Sequence, residues 1–201
     1  MPLQNRVDPF GEIFRTPARG TMLGNRGGAL HNDQREIVRP YKCPRWLICV
    51  LEFKGRRRTV MSPGLYTELF FLDEAVGLSA GHRPCAECRR ARFNEFRAAW
   101  GKPLPAPEID AELHRARIDR QGHKRTYQDR LAELPDGCFV TIDGSAYLVR
   151  GGELLLWTPD GYTRREPRSG GPALVTVLTP EITVRCLRNG YKPQMHESVA
   201  L

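Results

Sequence analysis

Gly81-His82-Arg83-Pro84-Cys85-Ala86-Glu87-Cys88-Arg89-Arg90 is the stretch from which the rest of this 201-residue chain is best read. A Cys-x-x-Cys pair can aim both sulfurs at one tetrahedral ion, at a zinc–sulfur distance of about 2.3 Å. Pro84 stiffens the turn that presents them, and the arginines that follow open a basic helix. A structural zinc takes four protein ligands, so Cys85 and Cys88 need partners. Cys43, Cys49 and His31 are the upstream candidates. Cys49 falls in an apolar run where strand alternation lets one side chain face a site while its neighbours face away. Cys43 precedes Pro44 in a turn, which suits a ligand equally well.

Working upstream, residues 46–53 read as a strand, 54–57 as a turn and 58–61 as the returning strand of a hairpin with a cationic tip. Residues 69–72 form a short apolar strand ending at Asp73, which is placed to cap a helix through Ser79. Gly81 closes that helix. Downstream, a helix is expected over 84–100, with Phe93, Phe96 and Trp100 on its buried stripe. The alternate prolines of 102–107 make a linker. A helix follows over 108–121, acidic early and basic late as the macrodipole prefers. From residue 135 the pattern turns to β, with strands at 138–142, 146–149, 154–157, 174–178 and 182–187. Residues 1–40 are rich in Gly and Arg, and their Gly-Asn-Arg-Gly-Gly at 24–28 lacks both the P-loop Lys-Ser/Thr and the dinucleotide-fold spacing.

The fold class expected is therefore α+β. An N-terminal loop, hairpin and short helices surround a zinc site in residues 1–101, and a basic helix and small antiparallel β subdomain occupy residues 108–201. The 40% hydrophobic content is enough for an ordinary core. No run of about 18 apolar residues occurs and the first residues lack an apolar leader core, so no membrane contact and a cytoplasmic location are expected. Of the six cysteines, Cys138 and Cys186 sit in apolar runs and read as reduced core thiols. A formal net charge of +8 favours a polyanionic partner, most simply nucleic acid. Arg56, Arg57 and Arg58 at the hairpin tip, with Arg83, Arg89, Arg90 and Arg92 beside the cysteines, are the arginines expected to meet phosphates.

Phe70-Phe71-Leu72-Asp73-Glu74-Ala75-Val76-Gly77-Leu78-Ser79-Ala80-Gly81-His82-Arg83-Pro84-Cys85-Ala86-Glu87-Cys88 resembles, without a gap, the second half of the Ada-type zinc-binding domain. That module begins bacterial proteins that repair methylphosphotriesters in DNA. The resemblance, carried by about residues 70–90, implies bound Zn²⁺, a DNA-associated context and Cys43 and Cys49 as the remaining ligands. The family pairs its upstream ligands as Cys-x-x-x-Cys, whereas five residues separate Cys43 from Cys49.

The leading expectation is a zinc-stabilised nucleic-acid-binding protein, with DNA favoured. A DNA-processing enzyme is the alternative, in either of two forms. Glu52-Phe53-Lys54 has the Glu-x-Lys form of Mg²⁺-dependent nucleases, with Asp33 and Glu36 as the upstream acids. Cys43 or Cys49 would instead be a thiolate alkyl acceptor. A third class is a regulatory module that binds another protein around a structural zinc. The zinc deaminase signature needs a His-x-Glu upstream, which this chain lacks.

Overall fold

The two cysteine-bearing segments are neighbouring strands of one sheet. The computed structural model describes residues 1–56 and 59–200. Its N-terminal half contains β1 (Gln4–Val7), β2 (Ile13–Arg15), β3 (Met22–Asn25), β4 (Leu47–Cys49), β5 (Leu69–Phe71) and β6 (Arg83–Pro84), in the spatial order β2-β1-β5-β3-β4-β6. β4 and β6 run parallel, with Leu47 opposite Arg83 and Ile48 opposite Pro84. The expected hairpin does not form. β4 has β3 on one side and β6 on the other, so it has no edge left for a returning strand. Lys54 and Gly55 do turn the chain, at φ 52° and 64°. Met61 is left-handed at φ 54° and not in a strand, and Arg57 and Arg58 lie outside the described residues.

α1 (Glu74–Ser79) starts as its sequence indicates, with the Asp73 carboxylate accepting from the Val76 N–H at 2.9 Å. Gly81 follows at φ 85°, and a Cβ there would lie 2.5 Å from Arg117 Cδ. α2 (Arg90–Ala99) is shorter than expected. The Arg83 and Cys85 N–H groups are given to the Trp46 and Ile48 carbonyls, at 3.1 and 2.9 Å, so the backbone through Cys85 belongs to the ladder and the helix waits until the cysteine turn is complete. Phe93 and Phe96 are buried on α2, and Trp100 directly after it.

The linker leads into α3 (Ala106–Arg117), which packs back on the first half: Asp110 accepts from Arg83 Nε and Nη2 at 2.8 and 2.7 Å. Beyond it lie β7 (Tyr127–Arg130), β8 (Phe139–Ile142), β9 (Ser145–Arg150), β10 (Glu153–Thr158), β11 (Gly161–Pro167) and β12 (Leu174–Val177). They form an antiparallel sheet in the order β11-β10-β9-β8-β12-β7. Residues 182–187, expected as a strand, are instead helical in α4 (Glu181–Arg188). Its Thr183, Val184 and Leu187 are buried at helical spacing behind Pro180, and so short an apolar run fits either period.

One contiguous apolar cluster draws on both sheets, from Val7 and Phe71 to Leu155 and Val177. A polar hub at the start of α1 also joins them. Buried Glu74 accepts from Arg89 at 2.9 Å, from the Gln194 N–H at 2.8 Å and from the Tyr191 hydroxyl. Asp73 accepts from the Tyr162 hydroxyl at 2.8 Å and the His196 N–H at 2.9 Å. Among the described residues, no helix is long and apolar enough to cross a membrane.

Candidate metal centre

The parallel ladder brings three cysteines together. Cys49 ends β4, Cys85 follows β6, and Cys88 comes round in the turn before α2. In β4 Ile48 points into the core while Leu47 and Cys49 take the other face, as alternation requires. The sulfurs of Cys49, Cys85 and Cys88 all lie within 4.8 Å of one another, close enough to hold one metal ion. Cys85 is buried and the other two half-buried. They rim a cleft of about 890 Å³ that also draws on Leu47, Val50, Phe53, Tyr66 and Phe70.

Electrostatics within the cluster are those of ligands that share protons. Hydrogen bonds from the thiols of Cys49 and Cys88 hold Cys85 far below the ordinary thiol range, assisted by the Glu87 N–H at 3.4 Å from its sulfur. Cys49 is pushed up, first by its hydrogen bond to Cys85 and then by that to Cys88 and by burial. The bond with Cys49 works to lower Cys88, but its bond to Cys85 and burial outweigh it, and Cys88 ends raised. An ion bound here would displace the protons of Cys49 and Cys88, since thiolates are the ligands.

Neither remaining upstream candidate joins the cluster. Cys43 packs against the Gly-rich loop, where a Cβ on Gly27 would lie 2.2 Å from its sulfur. Its place is set by that close approach, which only glycine permits. The His31 ring is bonded to Thr67 Oγ1 at 2.6 Å and to the Ser62 carbonyl at 3.2 Å. Among the described residues, no other group of three metal-ligating side chains is gathered in this way. Glu52 is exposed between the end of β4 and the Lys54–Gly55 turn, not on the strand a Mg²⁺ nuclease needs, and joins no such group with Asp33 or Glu36. Cys138 and Cys186 are fully buried thiols, each pushed up to about 12 by burial.

Most of the arginines expected to meet phosphates are engaged elsewhere. Arg83 and Arg89 are buried against Asp110 and Glu74, and Arg92 divides itself between Glu74 and Glu95. They serve the fold. Arg56 is exposed but pairs with Glu87 at 3.3 Å, and Arg57 and Arg58 lie outside the described residues. Arg90 is exposed at the start of α2, and Arg45, which sequence reading passed over, lines a second hollow beside Cys85. No known protein family, curated protein or solved structure matches the chain.

Sequence reading also missed a cluster at the opposite end of the ladder. Trp46 precedes β4 and His82 precedes β6, and their rings lie 5.1 Å apart. The Arg26 and Arg117 guanidiniums lie over the Trp46 ring, 4.0 and 3.8 Å from its centroid. The sequence carries its parts separately, Arg26 in Gly-Asn-Arg-Gly-Gly and Arg117 in the basic run from His114 to Arg130. His82 accepts from Arg26 Nε at 3.2 Å. Burial first, then the charges of Arg26 and Arg117, keep its pKa well below 6.5. The unfolded chain therefore binds the extra proton as pH falls, and stability is lost below about pH 6.5 at up to ~1.4 kcal/mol per pH unit. His114, held down to about 4 by burial and by Arg117, acts in the same direction. Urea unfolding from about pH 7 to about pH 5 should show this slope, and His82→Gln should flatten it. An unchanged slope in the variant would assign the acid sensitivity to other groups.

Proposed function

We propose that this is a zinc-stabilised nucleic-acid-binding protein, with DNA the favoured partner. The gathering of Cys49, Cys85 and Cys88 by two adjacent strands is the observation that carries the metal half of the reading. An all-cysteine set favours a soft or borderline ion over Mg²⁺ or Ca²⁺. Tetrahedral Zn–S bonds of about 2.3 Å place sulfurs roughly 3.8 Å apart, within the span these three already occupy. Three sulfurs leave one position for a molecule from the cleft.

The nucleic-acid half is supported by the net charge of +8 and by the exposed Arg45, in the hollow beside Cys85, and Arg90, at the start of α2. Glu52, Glu68 and Glu87 line the cleft itself, so phosphates would be met at its rim. Binding to random duplex DNA should weaken as salt rises, with a slope of about −0.9 per phosphate neutralised. Arg45→Ala with Arg90→Ala should reduce that slope by about two contacts. Binding indifferent to salt, or none, overturns this half.

A second reading is favoured by the half-buried Cys49 and Cys88, which line the cleft. A thiolate of Cys49 or Cys88 there would accept an alkyl group, the S–C bond forming as the C–O bond of a phosphotriester breaks and the phosphodiester leaves as the anion, and a zinc ion held by the three cysteines would supply the deprotonation of that thiol. Mass spectrometry after exposure to alkylated DNA would locate the added group on Cys49 or Cys88. Unmodified cysteines would remove this reading.

A further inference from the structure

The geometry points to a second site, an oxyanion pocket at the Trp46–His82 end of the β4–β6 ladder that takes a phosphate monoester. A cavity of about 340 Å³ opens there, and its lining includes Arg26, Arg39, Tyr41, Trp46, Arg117 and Lys124. Arg26 and Arg117 are 2% and 1% exposed. Their hydrogen bonds go to neutral acceptors. Arg26 donates to the Gly11 and Pro40 carbonyls at 2.8 and 3.3 Å, besides His82. Arg117 donates to the Gly81 and Pro44 carbonyls at 2.8 and 2.6 Å and is bonded to His114 Nδ1 at 2.7 Å, while its Nε has no partner. Lys124 Nζ donates to the Ser79 carbonyl at 2.6 Å.

Among the described residues, none of these three cations makes an ion pair. Asp8 and Glu12 act on Arg26 and Lys124, and Asp110 on Arg117, all from beyond ion-pair distance, and Glu12 is the one acid in the lining against the four cations Arg26, Arg39, Arg117 and Lys124. The contrast with the other deep arginines decides the reading. Arg83 and Arg89 each hold a carboxylate, at 2.7 and 2.9 Å. A buried charge without a counter-charge costs several kcal/mol, and evolution ordinarily supplies the partner from within the chain or from a ligand. Burial presses Lys124 down to about 7 and Arg117 to about 8, a cost that an anion in the cavity would offset.

Phosphate fits this set better than a carboxylate does. It brings close to two negative charges and three acceptor oxygens to a site with two guanidiniums and an ammonium. The cavity reaches the size at which pockets hold a small organic ligand. Phe10, Ile37 and Val38 supply an apolar wall for the body of the ester. The site is independent of the metal reading, because none of the residues that line it is a cysteine.

Calorimetric titration of the full chain with inorganic phosphate, a nucleoside 5′-monophosphate and a 5′-phosphorylated oligonucleotide tests the proposal. All three should bind, and Lys124→Met should weaken each by about tenfold, or about 1.4 kcal/mol. Arg39→Ala, at an exposed residue of the pocket wall, should weaken them in the same order and guards against a folding defect in the first variant. Arg150→Ala, on the exposed end of β9, should change nothing. Tightest binding of the monophosphate marks a small ester as the ligand, and tightest binding of the oligonucleotide marks a nucleic-acid end. Absence of binding by all three, or binding untouched by both pocket variants, overturns the site.

Discussion

Cys85→Ser is expected to abolish metal binding by the cysteine cluster and to lower the thermal midpoint by roughly 10 °C or more. Cys85 is the buried member of the three and the one on which the other two converge. A serine hydroxyl at that point is a far weaker ligand than a thiolate, and two sulfurs do not hold zinc against water at ordinary concentrations. The loss should propagate, because the cysteine turn ties β4 to the start of α2. Cys43→Ser is the matched control. Its sulfur packs on Gly27 away from the cluster, so metal and midpoint should stay near those of the wild type. Differential scanning calorimetry with and without chelator reads both. A Cys85→Ser protein as stable as its parent, and equally indifferent to chelator, would show that no metal contributes to the fold.

Glu74→Ala should be nearly as damaging, by about 3–5 kcal/mol in urea unfolding. The Glu74 side chain is 0% exposed and Arg89 is 3% exposed, so removing the carboxylate strands a guanidinium in the interior. The same change releases Arg92, the Tyr191 hydroxyl and the Gln194 N–H, and with them the C-terminal segment that crosses α1. Glu74→Gln keeps an acceptor oxygen of the same shape and should lose less. A double change of Glu74→Leu with Arg89→Met removes both charges and should recover much of the loss, because a buried pair is more harmful broken than replaced. If the single and double variants are equally destabilised, the hub acts through shape and not charge.

What was legible in the sequence was local. Asp73 as a helix cap and Gly81 as its stop follow from short-range backbone chemistry, and both are found in place. The antiparallel strands from residue 138 to residue 177 follow from alternation and turns, apart from β11, whose exposed Thr163, Arg164 and Arg165 mask its pattern. Cys49 stood out by lying in a strand, and the strand puts it on the cysteine face. What was not legible depended on distant partners. Arg83 reads as a surface residue until Asp110, 27 positions on, takes it inside. Arg89 finds Glu74 in the same way. The parallel pairing of β4 with β6 spans more than 30 residues, and no local signal distinguishes it from a hairpin. The strands of the first 25 residues are three or four residues long, below the length at which periodicity speaks.

The central claim is that Cys49, Cys85 and Cys88, and not Cys43 or His31, hold one zinc ion. Elemental analysis of the purified protein, with Cys49→Ser, Cys85→Ser, Cys88→Ser, Cys43→Ser and His31→Ala variants beside it, tests it most directly. About one zinc per chain is expected in the wild type, Cys43→Ser and His31→Ala proteins, with little or none in the other three. A wild-type protein without zinc after anaerobic purification, or a Cys43→Ser protein that loses it, would contradict the account.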